Sequence, residues 1–179
     1  LPLSVGYRDQ LQPDAVIHMN GTRVVAEGKT VYEHTMDKKL LKRLLAFGKE
    51  RGIALGVTME NGDYYTAPEE VERIDVLRWG ETSRHFEDPM KLLELPVRTL
   101  AYIGGPDRVR ELEEHFPECK FFMFAGKTGA DVVENEASKA EGLKRLCEYY
   151  GMDLSQTVAF GDSMNAVSYT HLTLPTIYP

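Results

Sequence analysis

A chain of 179 residues is long enough to bury a sizeable core and to build one or two domains. Its 21 basic and 28 acidic residues leave a net charge of −7, which argues against broad electrostatic capture of nucleic acid, and 42% apolar with 27% charged residues is ordinary for a soluble globular protein. No stretch reaches the ~18–20 apolar residues of a membrane-spanning helix, so no membrane partner is expected.

In chain order, residues 1–13 read as the end of a helix leading into a loop. A strand over 14–19 ends in an Asn20-Gly21 turn, and strands over 22–26 and 30–35 flank Glu27-Gly28-Lys29 as a hairpin. Residues 37–51 carry Leu40, Leu41, Leu44, Leu45 and Phe47 at helical spacing, with Gly52 as the stop. The lysines and arginines of that helix are read as a solvated face. Asn61-Gly62 joins strands over 53–59 and 64–66, and Pro68 opens a helix over 68–77. A loop over 78–96 holds a short helix near 89–95. A strand over 97–103, a Gly104-Gly105-Pro106 turn, a helix over 107–116 and strands over 119–124 and 130–134 follow. Trp79, Arg84 and His85 are read as packing residues rather than as the lining of a pocket.

The last third carries the chemistry. Ser138 and Glu141 have capping-box spacing at a helix start, and Leu143, Leu146, Cys147 and Tyr150 give that helix an apolar face. Lys139 is the odd residue, because a cation in the first turn opposes the macrodipole at a cost of up to ~1 kcal/mol. A helix start gathers anions through its free N–H groups, and a lysine added there makes a phosphate site. Residues 158–160 read as a short buried strand broken by Gly161, which leaves Asp162 at the strand's carboxyl end, where open α/β sheets place ligands. Lysine and aspartate together suggest phosphate plus a divalent cation. On local pattern alone this stands level with an exposed lysine and a turn aspartate.

The run Ser138-Lys139-Ala140-Glu141-Gly142-Leu143, followed by Val158-Ala159-Phe160-Gly161-Asp162-Ser163-Met164-Asn165, resembles motifs three and four of the haloacid dehalogenase-like (HAD) hydrolases, most closely the Cof-type branch with a type IIB cap. The stretch from Asp14 to Asn20-Gly21 resembles the core strand and turn from which that branch launches its cap. The resemblance covers about residues 11–166. It implies an α/β fold: a partial HAD Rossmannoid core with a parallel sheet and an inserted α+β cap domain. The expected boundaries are 1–22 for a first core piece, 23–136 for the cap, 137–166 for a second core piece and 167–179 for a non-native tail.

The same resemblance implies Mg²⁺-dependent hydrolysis of a small phosphorylated metabolite, such as a sugar phosphate, through an aspartyl-phosphate. Lys139 would be catalytic, holding phosphate and nucleophile, and Asp162 would bind the metal. Asn165 and Asn20 would bind substrate or its phosphate.

The sequence also departs from the family pattern. No Asp-x-Asp occurs in the chain, so the expected nucleophile and general acid are missing, and Ala166 stands where a second aspartate is expected. Residues 167–179 have no helical period and resemble a translated sequencing adapter. With Leu1 in place of Met at the start, the chain is read as an interior fragment, inactive as given. The alternative is a non-catalytic α+β binding module derived from a HAD cap.

Two further signals point away from other chemistries. Ala125-Gly126-Lys127-Thr128 imitates the end of a Walker A loop, but Phe121 stands where that loop needs glycine, and the histidines lack metal-ligand spacing. Cys119 and Cys147 form no C-x-x-C pair or disulfide framework, and with no signal peptide they suggest a cytoplasmic setting. The oligomeric state is left open.

Overall fold

The computed structural model describes residues 10–158, which divide into two compact units. One combines residues 10–34 with 137–158, and the other is Thr35–Glu136, inserted in sequence between those stretches.

In the first unit β1 (Ala15–His18), β2 (Arg23–Ala26) and β3 (Lys29–Glu33) form an antiparallel meander in that order. Glu27 and Gly28 both take positive φ, 50° and 74°, the backbone of a tight primed turn that suits the twist of the two strands. The sequence reading placed this hairpin in the inserted module. It groups with the first unit because β2 pairs with β1 along its whole length.

Helix Lys139–Tyr150 completes this unit, ending at Gly151 with φ 63°. Its buried residues are Ala140, Gly142 and Cys147. Leu143 and Leu146, expected on the apolar face, are only half-buried, and Tyr150 is exposed. Small side chains let this helix come close to the strands. Its C-terminal end is fastened at the rim: the Tyr150 hydroxyl donates to the Asp14 carbonyl at 3.4 Å, and Arg145 lies 5.2 Å from the Tyr32 ring centroid.

In the second unit five antiparallel strands take the order β5-β4-β6-β8-β7, with β4 Ala54–Met59, β5 Gly62–Tyr65, β6 Leu100–Ile103, β7 Cys119–Met123 and β8 Gly129–Glu134. Helices α1 (Lys38–Arg51), α2 (Pro68–Trp79) and α3 (Asp107–His115) pack on it, and the helix at 139–150 is α4. The Asp37 carboxylate caps α1 by accepting from the Lys39 and Leu40 N–H groups at 2.9 and 3.0 Å, and Gly52 ends it in the left-handed region.

The leucine stripe of α1 joins Leu55, Leu92, Leu100, Tyr102, Leu112 and Val132 in the main core. The pleat sends alternate residues, Ala54, Tyr65 and Ile103, into a second cluster with Val71 and Ile74 of α2. The Walker-like run is the β7–β8 hairpin turn, where Lys127 takes φ 51° and its N–H donates to the Phe124 carbonyl.

Every pairing between named strands among the described residues is antiparallel, and the parallel pairing expected of the core involves a strand at 158–160 that falls almost wholly outside them. The turn after β1 reverses the chain at once, so β2 must run against β1. The second expected core strand begins at Val158, the last described residue, and 159–160 lie outside the described residues.

Leu44 lies at the centre of the main core with 0% exposure. Leu44→Ala is expected to cost the second unit about 3 kcal/mol in urea unfolding, against under about 0.5 for Leu77→Ala on the exposed side of α2.

Candidate active site

Two stretches far apart in sequence meet in the first unit, and glycines make the meeting possible. After β1 the chain turns through Met19, Asn20 and Gly21, all with positive φ (51°, 57° and 95°). Two consecutive non-glycine residues in the left-handed region store strain, which packing around them must hold. Thr22, fully buried, holds it from one side: its N–H and its hydroxyl both donate to the Met19 carbonyl, at 3.3 and 2.9 Å. Its own carbonyl accepts from the His34 N–H at 2.7 Å.

From the other side comes the start of α4. A Cβ on Gly21 would collide with the Ser138 carbonyl and stand 2.8 Å from the Lys139 nitrogen. A Cβ on Gly142, one turn further on, would meet Ile17 Cγ2 at 2.7 Å and Gly21 Cα at 3.1 Å. The turn is thus seated on the first turn of the helix, backbone against backbone.

Ser138 caps α4 by accepting from the Glu141 N–H at 3.0 Å. The expected reciprocal half of the capping box is diverted, because the Glu141 carboxylate pairs with Arg145 at 2.8 Å. Lys139 is the first residue of the helix and is half-buried, as is Asn20. The structure therefore brings the regions of Asn20 and Lys139 together through Gly21. Asp162 and Asn165 lie outside the described residues. Free N–H groups of a helix start, a lysine upon it and a polar turn against it make an arrangement suited to a phosphate-sized anion.

Sequence reasoning missed Thr22 and Gly142. A glycine inside a helix costs roughly 1 kcal/mol relative to alanine, so Gly142 itself was a signal of close approach.

A second polar cluster lies in the other unit, and the sequence reading did not assemble it. Asp63 on β5 and Asp75 on α2 are each 7% exposed, and Arg84 reaches both. Its Nη1 donates to Asp63 Oδ1 at 2.9 Å, while Nε and Nη2 take both oxygens of Asp75 at 2.6 and 3.0 Å. Thr58 donates to Asp63 at 2.7 Å, and the His85 N–H does so at 3.0 Å. Burial pushes the Asp63 carboxyl up, but the Thr58, His85 and Arg84 bonds outweigh it and hold the group below its usual range. Its partners pair these groups internally, so the cluster reads as structural. Trp79 stands 67% exposed, with the Arg78 guanidinium 4.8 Å from its ring centroid.

With this geometry in view, the likeness to known proteins is informative. The fold is α/β with an inserted module. The family profile of the haloacid dehalogenase-like hydrolases matches residues 5–168, and the chain belongs to that family. It is 25% identical over 162 residues to "Putative phosphatase YkrA" of Bacillus subtilis (strain 168), covering 88% of this chain and 60% of that protein. It is 22% identical over 151 residues to the HMP-PP phosphatase of Klebsiella pneumoniae (strain 342), covering 82% of this chain and 55% of that one. The chain thus spans a little over half the length of these curated relatives.

Among solved structures, BT1666 from Bacteroides thetaiotaomicron, described among HAD phosphatases, superposes with a TM-score of 0.82 at 18% identity, covering 94% of this chain and 63% of that one. The HAD subclass IIB sugar phosphatase BT4131 gives 0.73 at 19%, covering 92% and 64%. At these identities the likeness shows the fold.

Two outcomes test this description. Gly21→Ala should cost about 2–4 kcal/mol and loosen amide protection in α4, because the new Cβ meets both the wrong φ and the Ser138 carbonyl. Gly28→Ala, also at positive φ but with open space around it, should cost only about 1 kcal/mol. Equal costs would contradict the close seating.

The second outcome concerns pH. Because the folded-state pKa of Asp63 is depressed, the stability it contributes is present above its ordinary value of 3.8 and lost as pH falls below it. In acid titration by circular dichroism, Asp63→Asn should flatten the loss of stability below pH ~4.

Proposed function

We propose that this chain carries the phosphate-handling side of a HAD phosphatase that hydrolyses a small phosphorylated metabolite, of the sugar-phosphate kind, through an aspartyl-phosphate. The observation that supports this most is the seating of the Asn20-Gly21 turn on Ser138 and Lys139, which gathers helix N–H groups, a lysine and a polar turn at one place. Family membership agrees with it, and so do the phosphatase names of the relatives, though those names belong to longer proteins.

In this reading Lys139 supplies a compact, strongly hydrated charge for phosphoryl oxygens and for the nucleophile's carboxylate. The Ser138 cap keeps the first turn of α4 wound, so that its remaining N–H groups add to the same field. Asn20, half-buried in the strained turn, offers an amide able to bind a phosphate or substrate oxygen. Asn165 orients the site by hydrogen bonds. The inserted unit takes the part of the family's cap.

Mg²⁺, when bound, would neutralise charge on the phosphoryl oxygens. Asp162 is the residue proposed to hold it. Among the described residues no group of three or more His, Cys, Asp or Glu side chains could hold a metal ion, so the metal proposal rests on Asp162 and the family motif. No helix among the described residues is long and apolar enough to cross a membrane.

Since the sequence contains no Asp-x-Asp, the chain as given is expected to hydrolyse neither p-nitrophenyl phosphate nor a sugar-phosphate panel in the presence of Mg²⁺. Turnover that survives Asp162→Ala would contradict this account. In a parent protein that carries the nucleophile, Lys139→Ala should lower kcat by about 100-fold or more, with amide protection in α4 unchanged. Near-normal turnover there would leave Lys139 a purely structural residue.

A further inference from the structure

In the inserted unit, β5 is the last strand of its sheet and so presents an edge. Edges of this kind expose unpaired N–H and C=O groups to any second strand that approaches. Here the edge is covered from within the chain. The Asp63 N–H donates to the His85 carbonyl at 2.7 Å, and the Glu87 N–H donates to the Asp63 carbonyl at 3.0 Å. These bonds make a parallel bridge centred on Asp63 and Phe86.

The fit is close, since a Cβ on Gly62 would stand 2.9 Å from Glu87 Cγ and 3.2 Å from the His85 carbonyl. Phe86 adds an apolar anchor to the Ala54, Tyr65, Val71 and Ile74 cluster. The charged contacts lie at the head of the same segment. Arg84 joins Asp63 on the edge strand to Asp75 on α2, and its Nη1 also donates to Thr58 Oγ1 at 2.9 Å.

We propose that residues 84–87 are a strap closing the edge of β5, and that Arg84 is its latch, tying strap, strand and helix through one guanidinium. Breaking the latch releases the strap before the sheet melts, and the bared β5 edge then pairs with a second copy of the chain. The geometry favours local release over global unfolding because, besides Arg84, the strap is held by two backbone–backbone bonds, the His85 N–H bond to the Asp63 carboxylate and one aromatic ring. The main core (Leu44, Leu55, Leu100 and Leu112) contains no residue of 84–87.

Hydrogen exchange on the full chain, read with sedimentation velocity, tests this. In Arg84→Gln, peptides over 60–65 and 81–88 should exchange at least tenfold faster, while β6 keeps its protection. The sedimentation coefficient should rise with concentration only in the variant. Because Arg84→Gln leaves two buried carboxylates without their cation, Glu87→Pro is measured beside it. That change removes one strap N–H and touches no latch charge, and it should give the same local release and self-association. Unchanged exchange in 81–88, equal acceleration of β6 in both variants, or a monomer at all concentrations once the strap is open would overturn the proposal.

Discussion

The first unit depends on the contact of Gly21 with the start of α4. Two backbones can meet this closely only where neither residue has a side chain in the way, and Gly21 and Gly142 supply that absence from opposite sides. A single methyl group at either position would force the turn away from the helix. The turn's two left-handed non-glycine residues follow from this seating: they are the geometry required to leave β1, pass over the helix start and return as β2. Thr22, bonded twice to the Met19 carbonyl, fixes the same geometry from behind. Strain of this sort persists when its surroundings over-determine it, and such positions cluster where ligands are handled.

The two polar assemblies described above differ in how their groups are matched. Around Arg84 the carboxylates, guanidinium, hydroxyls and backbone groups are matched to one another within a few residues, and two of the three charged groups are almost wholly covered. Losing one member of such a set strands the others, so its worth lies in holding the fold in one arrangement. At the start of α4 the polar groups converge from a turn and a helix terminus, the kind of position that attracts anions. The family match, over residues 5–168, spans both assemblies.

Much of this was legible in the sequence where local chemistry governs. Asp37 and Gly52 bracket α1, Asn61-Gly62 sets a hairpin, Pro68 opens α2 and Ser138 opens α4, because caps and turns are decided by residues within a few positions. Contacts between distant residues were harder to read. Asp63 follows a turn and looks like any exposed turn residue until Arg84 and Asp75 are seen against it. Of the apolar face predicted for α4, Cys147 is buried as expected, while Leu143, Leu146 and Tyr150 gave way to Ala140 and Gly142, since periodicity marks large side chains while close packing selects small ones. The hairpin at 23–33 was assigned by its position after Asn20-Gly21, but its hydrogen bonds to β1 place it with the first unit. Lys139 was singled out by the opposite logic, as a charge that helix stability alone does not call for, and its proposed role rests on that reasoning and the family motif.

The central claim is that turn and helix start form one anion-binding face, and amide chemical shifts report on it directly. In a nitrogen-15 heteronuclear NMR titration of the chain with inorganic phosphate, the Asn20, Gly21, Lys139 and Ala140 amides should shift together along one saturable curve. Lys139→Ala should abolish that curve while the amides of the inserted unit stay in place. Independent curves for the turn and the helix, or shifts confined to the inserted unit, would contradict the account.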